Sequence, residues 1–153
     1  MMINIKSILV DSGESVEIDE MLPMFTLDDC TIDKIHAVGK VINNAGRIEL
    51  LLTVSFVAAS ICARCGISIA LPFTTEIDEP VSGDLIDNNR IMLSEIVTSE
   101  ISLSLPLRFL CKPDCRGLCE SCGVNLNEEK CNCDTEIIDE RLLKLKQLLK
   151  KED

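Results

Sequence analysis

Nine cysteines and one histidine occur in this chain of 153 residues, and five of the cysteines crowd into CRGLCESCGVNLNEEKCNC, residues 115–133. Eight fall into four close pairs: Cys62 with Cys65, Cys111 with Cys115, Cys119 with Cys122, and Cys131 with Cys133; Cys30 stands apart. Thiols at this density close disulfides, hold metal or do redox chemistry, and the compartment narrows the choice. The opening MMINIKSILV alternates apolar with polar residues and sets Lys6 inside its apolar run, unlike a signal peptide. No later run approaches the length of a membrane span. The expectation is a soluble, cytoplasmic protein. Its thiols stay reduced there, and closely spaced cysteines read as metal ligands.

Zinc takes four soft ligands in a tetrahedron. A C-x-x-C turn followed by Gly aims two thiolates at one ion while backbone N–H groups approach their sulfurs. C62-A-R-C65-G66 and C119-E-S-C122-G123 are two such turns, each half a site. Cys131 and Cys133 lie close enough downstream of the second turn to complete it at small loop-closure cost. For the first turn the remaining pair is Cys111 and Cys115, although spacing leaves ligand exchange among the six cysteines of 111–133 open. The competing reading leaves Cys62 and Cys65 as ordinary thiols. Two structural zinc ions per chain are expected; ferredoxin-type iron–sulfur spacing is absent, but four thiolates do not themselves reject iron. An all-cysteine shell has no open coordination position, so catalytic zinc is disfavoured, and His36 lies in an expected strand. Neither CARC nor CESC begins a helix of a βαβ unit, which weakens a thioredoxin-like reading. Cys30 reads as a buried small apolar residue.

The rest of the chain is long enough for one domain, and 46% hydrophobic residues supply a core. With four Phe and neither Trp nor Tyr, that core is mainly Ile, Leu and Val, and the composition argues against aromatic platforms for stacking bases. IHAVGKVI, RIELLLTVSFVAAS and ISIALPFTTEID alternate with a period of two, the first two joined by the hairpin signal Asn43-Asn44-Ala45-Gly46, with CARCG at the next reversal. Residues 3–10 and 14–18 are expected to add a hairpin, giving an antiparallel meander of about five strands. Residues 80–90 read as loop. MLSEIVTSEISLSL places Leu93, Ile96, Val97, Ile101 and Leu105 at helical spacing, stopped by Pro106. IIDERLLKLKQLLKK reads as an amphipathic C-terminal helix. The fold class is therefore α+β: residues 1–107 form an acidic sheet with a packed helix, and residues 108–153 a cysteine-rich zinc-knuckle module ending in that helix, one compact unit with the first.

Charge divides the chain at the same place. Residues 1–107 hold 6 Lys+Arg against 16 Asp+Glu, and residues 108–153 hold 9 against 10. Two four-thiolate zinc centres would take the formal charge from −11 to −15. Such a chain is no general phosphate binder, so a nucleic-acid contact has to be local. Arg108, Lys112, Arg116 and Lys130, beside the cysteines, are the candidate RNA- or partner-binding residues; they also read as a rim offsetting the thiolates.

The order C62-A-R-C65, then L103-S-L-P106-L, then C111-x-x-x-C115-R-G-L-C119-x-x-C122-G-V-N-L-N127-x-x-x-C131-x-C133 and an apolar-basic helix resembles the YceD-like large ribosomal RNA subunit accumulation family of bacteria and plastids. The resemblance runs over most of the chain and is weakest before residue 30. It implies a non-enzymatic role in accumulation or processing of large-subunit rRNA, through binding that rRNA or a pre-ribosomal particle, with no membrane and no small-molecule substrate. It further implies that the second metal site is scaffolding, since some members lack that cluster, and it includes Asn125 and Asn127, read as turn residues shaping the loop. The acidic N-terminal part supports a competing class, an adaptor or chaperone for a basic ribosomal protein.

Overall fold

The computed structural model describes residues 1–10 and 14–133. The chain divides into two compact units, Met1–Cys111 and Lys112–Asp153. The expected C-terminal helix lies outside the described residues.

In the first unit, β4 (Cys30–Asn44) and β5 (Arg47–Ile61) form a long antiparallel hairpin, and β6 (Ser68–Pro80) pairs with the far side of β5. The open side of β4 takes β2 (Ser15–Leu22) along one stretch and β3 (Phe25–Leu27) along another, so the sheet is five-stranded, in the order β2-β4-β5-β6 with β3 beside β4. The two-residue alternation holds along β5 and changes phase once in β4, at the register shift between Asp33 and His36; beyond it Ile35, Ala37 and Val41 of β4, with Leu50, Leu52, Val54, Phe56 and Ala58 of β5, turn to one buried face. Over that face lie Ile8 of α1 (Lys6–Val10) and Leu93, Val97 and Ile101 of α2 (Leu93–Ser104). Helical spacing brings those three α2 residues onto one stripe, and α2 ends at Ser104, ahead of Pro106. Phe73 stacks on Phe56 at 5.7 Å and meets the edge of Phe109 at 6.2 Å, which fastens the segment after α2 to the sheet.

The β4–β5 turn bears out its sequence signal. Asn44 pairs with Arg47 across Ala45 and Gly46, both at positive φ (52° and 91°), the two-residue turn whose twist matches a hairpin. Buried Asn43 donates to the carbonyl of Ile8 at 2.6 Å and accepts from the Gly46 N–H at 2.8 Å, so one amide serves both the end of α1 and the turn.

Two expectations are corrected. Residues 3–10 and 14–18 do not pair: β1 (Ile3–Asn4) pairs with β8 (Arg90–Ile91), residues 6–10 are helical, and β2 pairs with β4. Ile5 and Ile8, three apart, are both fully buried, a helical spacing that a run this short does not separate from strand alternation. Residues 80–90, read as loop, hold β7 (Ile86–Asp87), which pairs with β8 around Asn88 and Asn89 at φ 48° and 61°. The result is a small sheet, β1-β8-β7. Among the described residues no helix is long and apolar enough to cross a membrane.

In the described part of the second unit, turns take the place of long elements. Leu118 and Asn125 form an antiparallel bridge, and the Leu126 N–H donates to the carbonyl of Gly117 at 3.0 Å, making a short ribbon over 117–126.

Candidate metal centres

The two C-x-x-C-G turns have the same local structure. In the first, at the β5–β6 reversal, the Gly66 N–H donates to the carbonyl of Cys62 at 2.9 Å and the Cys62 N–H to that of Ile67 at 2.8 Å. In the second, within the ribbon, the Gly123 N–H donates to the carbonyl of Cys119 and the Cys119 N–H to that of Val124, both at 2.9 Å. Gly66 and Gly123 sit at φ 72° and 73°. Each reversal ends in a left-handed residue, where glycine has no side chain to strain.

Two groups of four sulfurs result, Cys62 with Cys65, Cys111 and Cys115, and Cys119 with Cys122, Cys131 and Cys133, all within 4.8 Å of one another in each. The Ala63 N–H donates to the Phe109 carbonyl at 2.8 Å, which ties the segment before Cys111 to the first turn. Of the alternatives left open by spacing, this is the grouping that the fold assembles. Cys65 and Cys111 sulfurs are 3.7 Å apart, and Cys119 and Cys131 sulfurs 3.4 Å. A disulfide needs about 2.05 Å. A tetrahedron with metal–sulfur bonds of about 2.3 Å has edges of about 3.8 Å, so the donor set fits one four-thiolate ion per group.

Electrostatics within the groups agree. N–H groups of Cys65 and then Arg64, opposed by burial, bring the Cys62 thiol down to about 6, and those of Cys122 and Ser121 do the same for Cys119. Cys133 is pushed up to about 12, first because its thiol shares a proton with Cys122, then by burial and the neighbouring negative charge. In the second group, therefore, Cys119 ionises readily while Cys133 resists, as expected of thiols crowded closely enough to share protons.

Cys30 is in neither group; it is buried in the sheet core, where burial raises its thiol. His36 lies on the open face of the sheet with Nε2 2.7 Å from Oδ1 of Asp19. Arg108, Lys112, Arg116 and Lys130 are all exposed, each within three residues of a cysteine of the two groups. Asn125 and Asn127 do shape the cysteine loop: Oδ1 of Asn125 accepts the Asn127 N–H at 3.1 Å, and Oδ1 of Asn127 accepts the Arg116 N–H at 2.9 Å. What the turn reading missed is that Asn127 Nδ2 also donates to the sulfur of Cys115 at 3.3 Å.

The family model of the large ribosomal RNA subunit accumulation protein YceD matches residues 50–149. The chain belongs to the YceD family. Uncharacterized proteins of Mycobacterium bovis and Mycobacterium tuberculosis are 36% identical to it over 104 residues, 68% of this chain and 44% of theirs. The chloroplastic large ribosomal RNA subunit accumulation protein YCED homolog 1 of Arabidopsis thaliana is 35% identical over 46 residues, 30% of this chain and 14% of its own. The chain thus spans less than half the length of those mycobacterial relatives. No solved structure matches. The YceD match takes in β5 from Leu50 onward, β6, α2 and both cysteine groups, whereas β1 to β4 lie outside it.

Proposed function

We propose that this chain is a non-enzymatic ribosome-biogenesis factor that promotes accumulation or processing of large-subunit rRNA, by binding that RNA or a pre-ribosomal particle. The YceD match, which spans both cysteine groups and the cations beside them, carries the reading. Cys62, Cys65, Cys111 and Cys115 would hold one zinc ion and Cys119, Cys122, Cys131 and Cys133 another, both structural because four thiolates close the shell. Residues 1–107 then act as an acidic scaffold and 108–153 as the RNA-binding module.

Phosphate binding falls to Arg108, Lys112, Arg116 and Lys130, since an acidic chain can bind RNA only where cations are local. Replacing Arg108, Lys112 and Arg116 with Ala is expected to weaken binding to large-subunit rRNA. It should also flatten the salt dependence by roughly 0.7 in log–log slope for each phosphate that is no longer neutralised. An unchanged affinity and slope would remove these residues from the interface.

The open face of the sheet favours a second reading. By register, Glu17, Lys40, Leu51 and Asp78 form one row across it and Asp19, Val38, Thr53 and Glu76 the next, with four acids to one cation. That face suits a basic ribosomal protein. Charge reversal at Glu76 and Asp78 that abolishes association, with the Ala triple variant binding normally, would select the adaptor.

A further inference from the structure

We infer that Asn127 couples the two cysteine groups, so that closing the second completes the first. Its amide has one consistent orientation. The Arg116 N–H can only donate and must face Oδ1, at 2.9 Å, which leaves Nδ2 to donate to the Cys115 sulfur at 3.3 Å and to Oδ1 of Asn125 at 2.8 Å. Both amide hydrogens are used, and the sulfur that one of them reaches belongs to the first group. Asn127 itself stands between Cys122 and Cys131, in the loop that the second group closes. The Cys119–Val124 and Gly117–Leu126 backbone bonds and the Leu118–Asn125 bridge hold that loop against the segment leading from Cys115.

A metal ion at Cys119, Cys122, Cys131 and Cys133 therefore fixes the residue that orients a ligand of the other group and shares its negative charge. Outer hydrogen bonds of this kind are typically worth 10–100-fold in metal affinity. Coupling is reciprocal, so an ion in the first group equally favours the second. Asn127 is a positioning residue: it acts on the metal through Cys115. The inference rests on reading both groups as metal sites and is independent of what the protein binds.

Asn127→Asp in the full chain is the test, because the carboxylate keeps an acceptor for the Arg116 N–H and loses the donor to sulfur. Zinc affinities are measured by competition with a chromophoric chelator. The phases are assigned with chains lacking one group, Cys62→Ser with Cys65→Ser, or Cys122→Ser with Cys131→Ser. Cobalt substitution gives a second readout, the thiolate-to-metal charge-transfer band of the first group. The expected result is a 10–100-fold loss at the first group and a displaced cobalt band, with the second group weakened comparably when the first is filled but within about threefold in the chain lacking Cys62 and Cys65. Cys122→Ser with Cys131→Ser should weaken the first group in the parent but add little in the Asn127→Asp chain, the signature of a shared interaction. Asn127→Ala, which removes donor and acceptor together, should lose at least as much. Unchanged first-group affinity, an equal weakening of the second group in the chain lacking Cys62 and Cys65, or additive effects overturn the coupling while leaving the metal sites standing. A parent chain that binds no zinc overturns both.

Discussion

Gly66 and Gly123 close their turns in the left-handed region, and a Cβ at either would meet no atom within 4 Å. Space is therefore not what demands glycine; conformation is. Ala at either position costs about 1–2 kcal/mol for a left-handed residue, and about 1.4 kcal/mol is tenfold in affinity. Gly66→Ala is accordingly expected to weaken zinc at Cys62, Cys65, Cys111 and Cys115 by about tenfold, and Gly123→Ala to act chiefly on the other group. Chelator competition on each variant checks this. Equal effects of one variant on both groups would mean that the turns are not local devices. The requirement was legible in the sequence, since C-x-x-C-G occurs twice. The use of Asn43 to cap α1 was not, because its partner, Ile8, is 35 residues away.

At the scale of elements, α2 shows how a stripe read from spacing becomes energy. Leu93, Val97 and Ile101 are fully buried, whereas Leu103 is 80% exposed on the same helix. Ile101→Ala should cost about 2–5 kcal/mol, and Leu103→Ala should stay within about 0.5 kcal/mol. Urea titration of the two variants distinguishes them; equal midpoints would mean that α2 does not pack as described. The long strands were legible for a similar reason, because a half-buried sheet imposes two-residue alternation along β5 and β6 and on either side of the register shift in β4. The segments misread, β1 with α1 and β7 with β8, are two to five residues long. Over that length the periods of helix and strand give the same pattern.

For the molecule as a whole, the buried cluster that holds the sheet and α2 together contains Cys30 but none of the eight cysteines of the two groups. The described part of the second unit has a single isolated bridge in place of strands. On the proposed reading of both groups as zinc sites, its order depends on the sulfurs, since a structural zinc ion supplies roughly 10–16 kcal/mol of apparent binding energy. Stripping the metal with a chelator, or substituting Cys119→Ser, should therefore expose the amides of 115–133 to rapid hydrogen exchange while β4 and β5 stay protected. Loss of protection across the sheet in the same step would show that the metal supports the whole fold.

The sequence by itself determined the period of each long strand, the face that α2 buries, the two knuckle turns and the family signature. All of these are local patterns, set by backbone geometry and by the reach of a C-x-x-C turn. Only the tertiary structure decided that Cys62 and Cys65 group with Cys111 and Cys115, that β1 pairs with β8, and that Asn127 reaches Cys115. Each of these joins residues across an intervening loop. Closing a longer loop costs so little more than closing a shorter one that spacing cannot choose among partners. Packing of the sheet makes the choice within the first unit, and the turns around the Leu118–Asn125 bridge make it for Asn127.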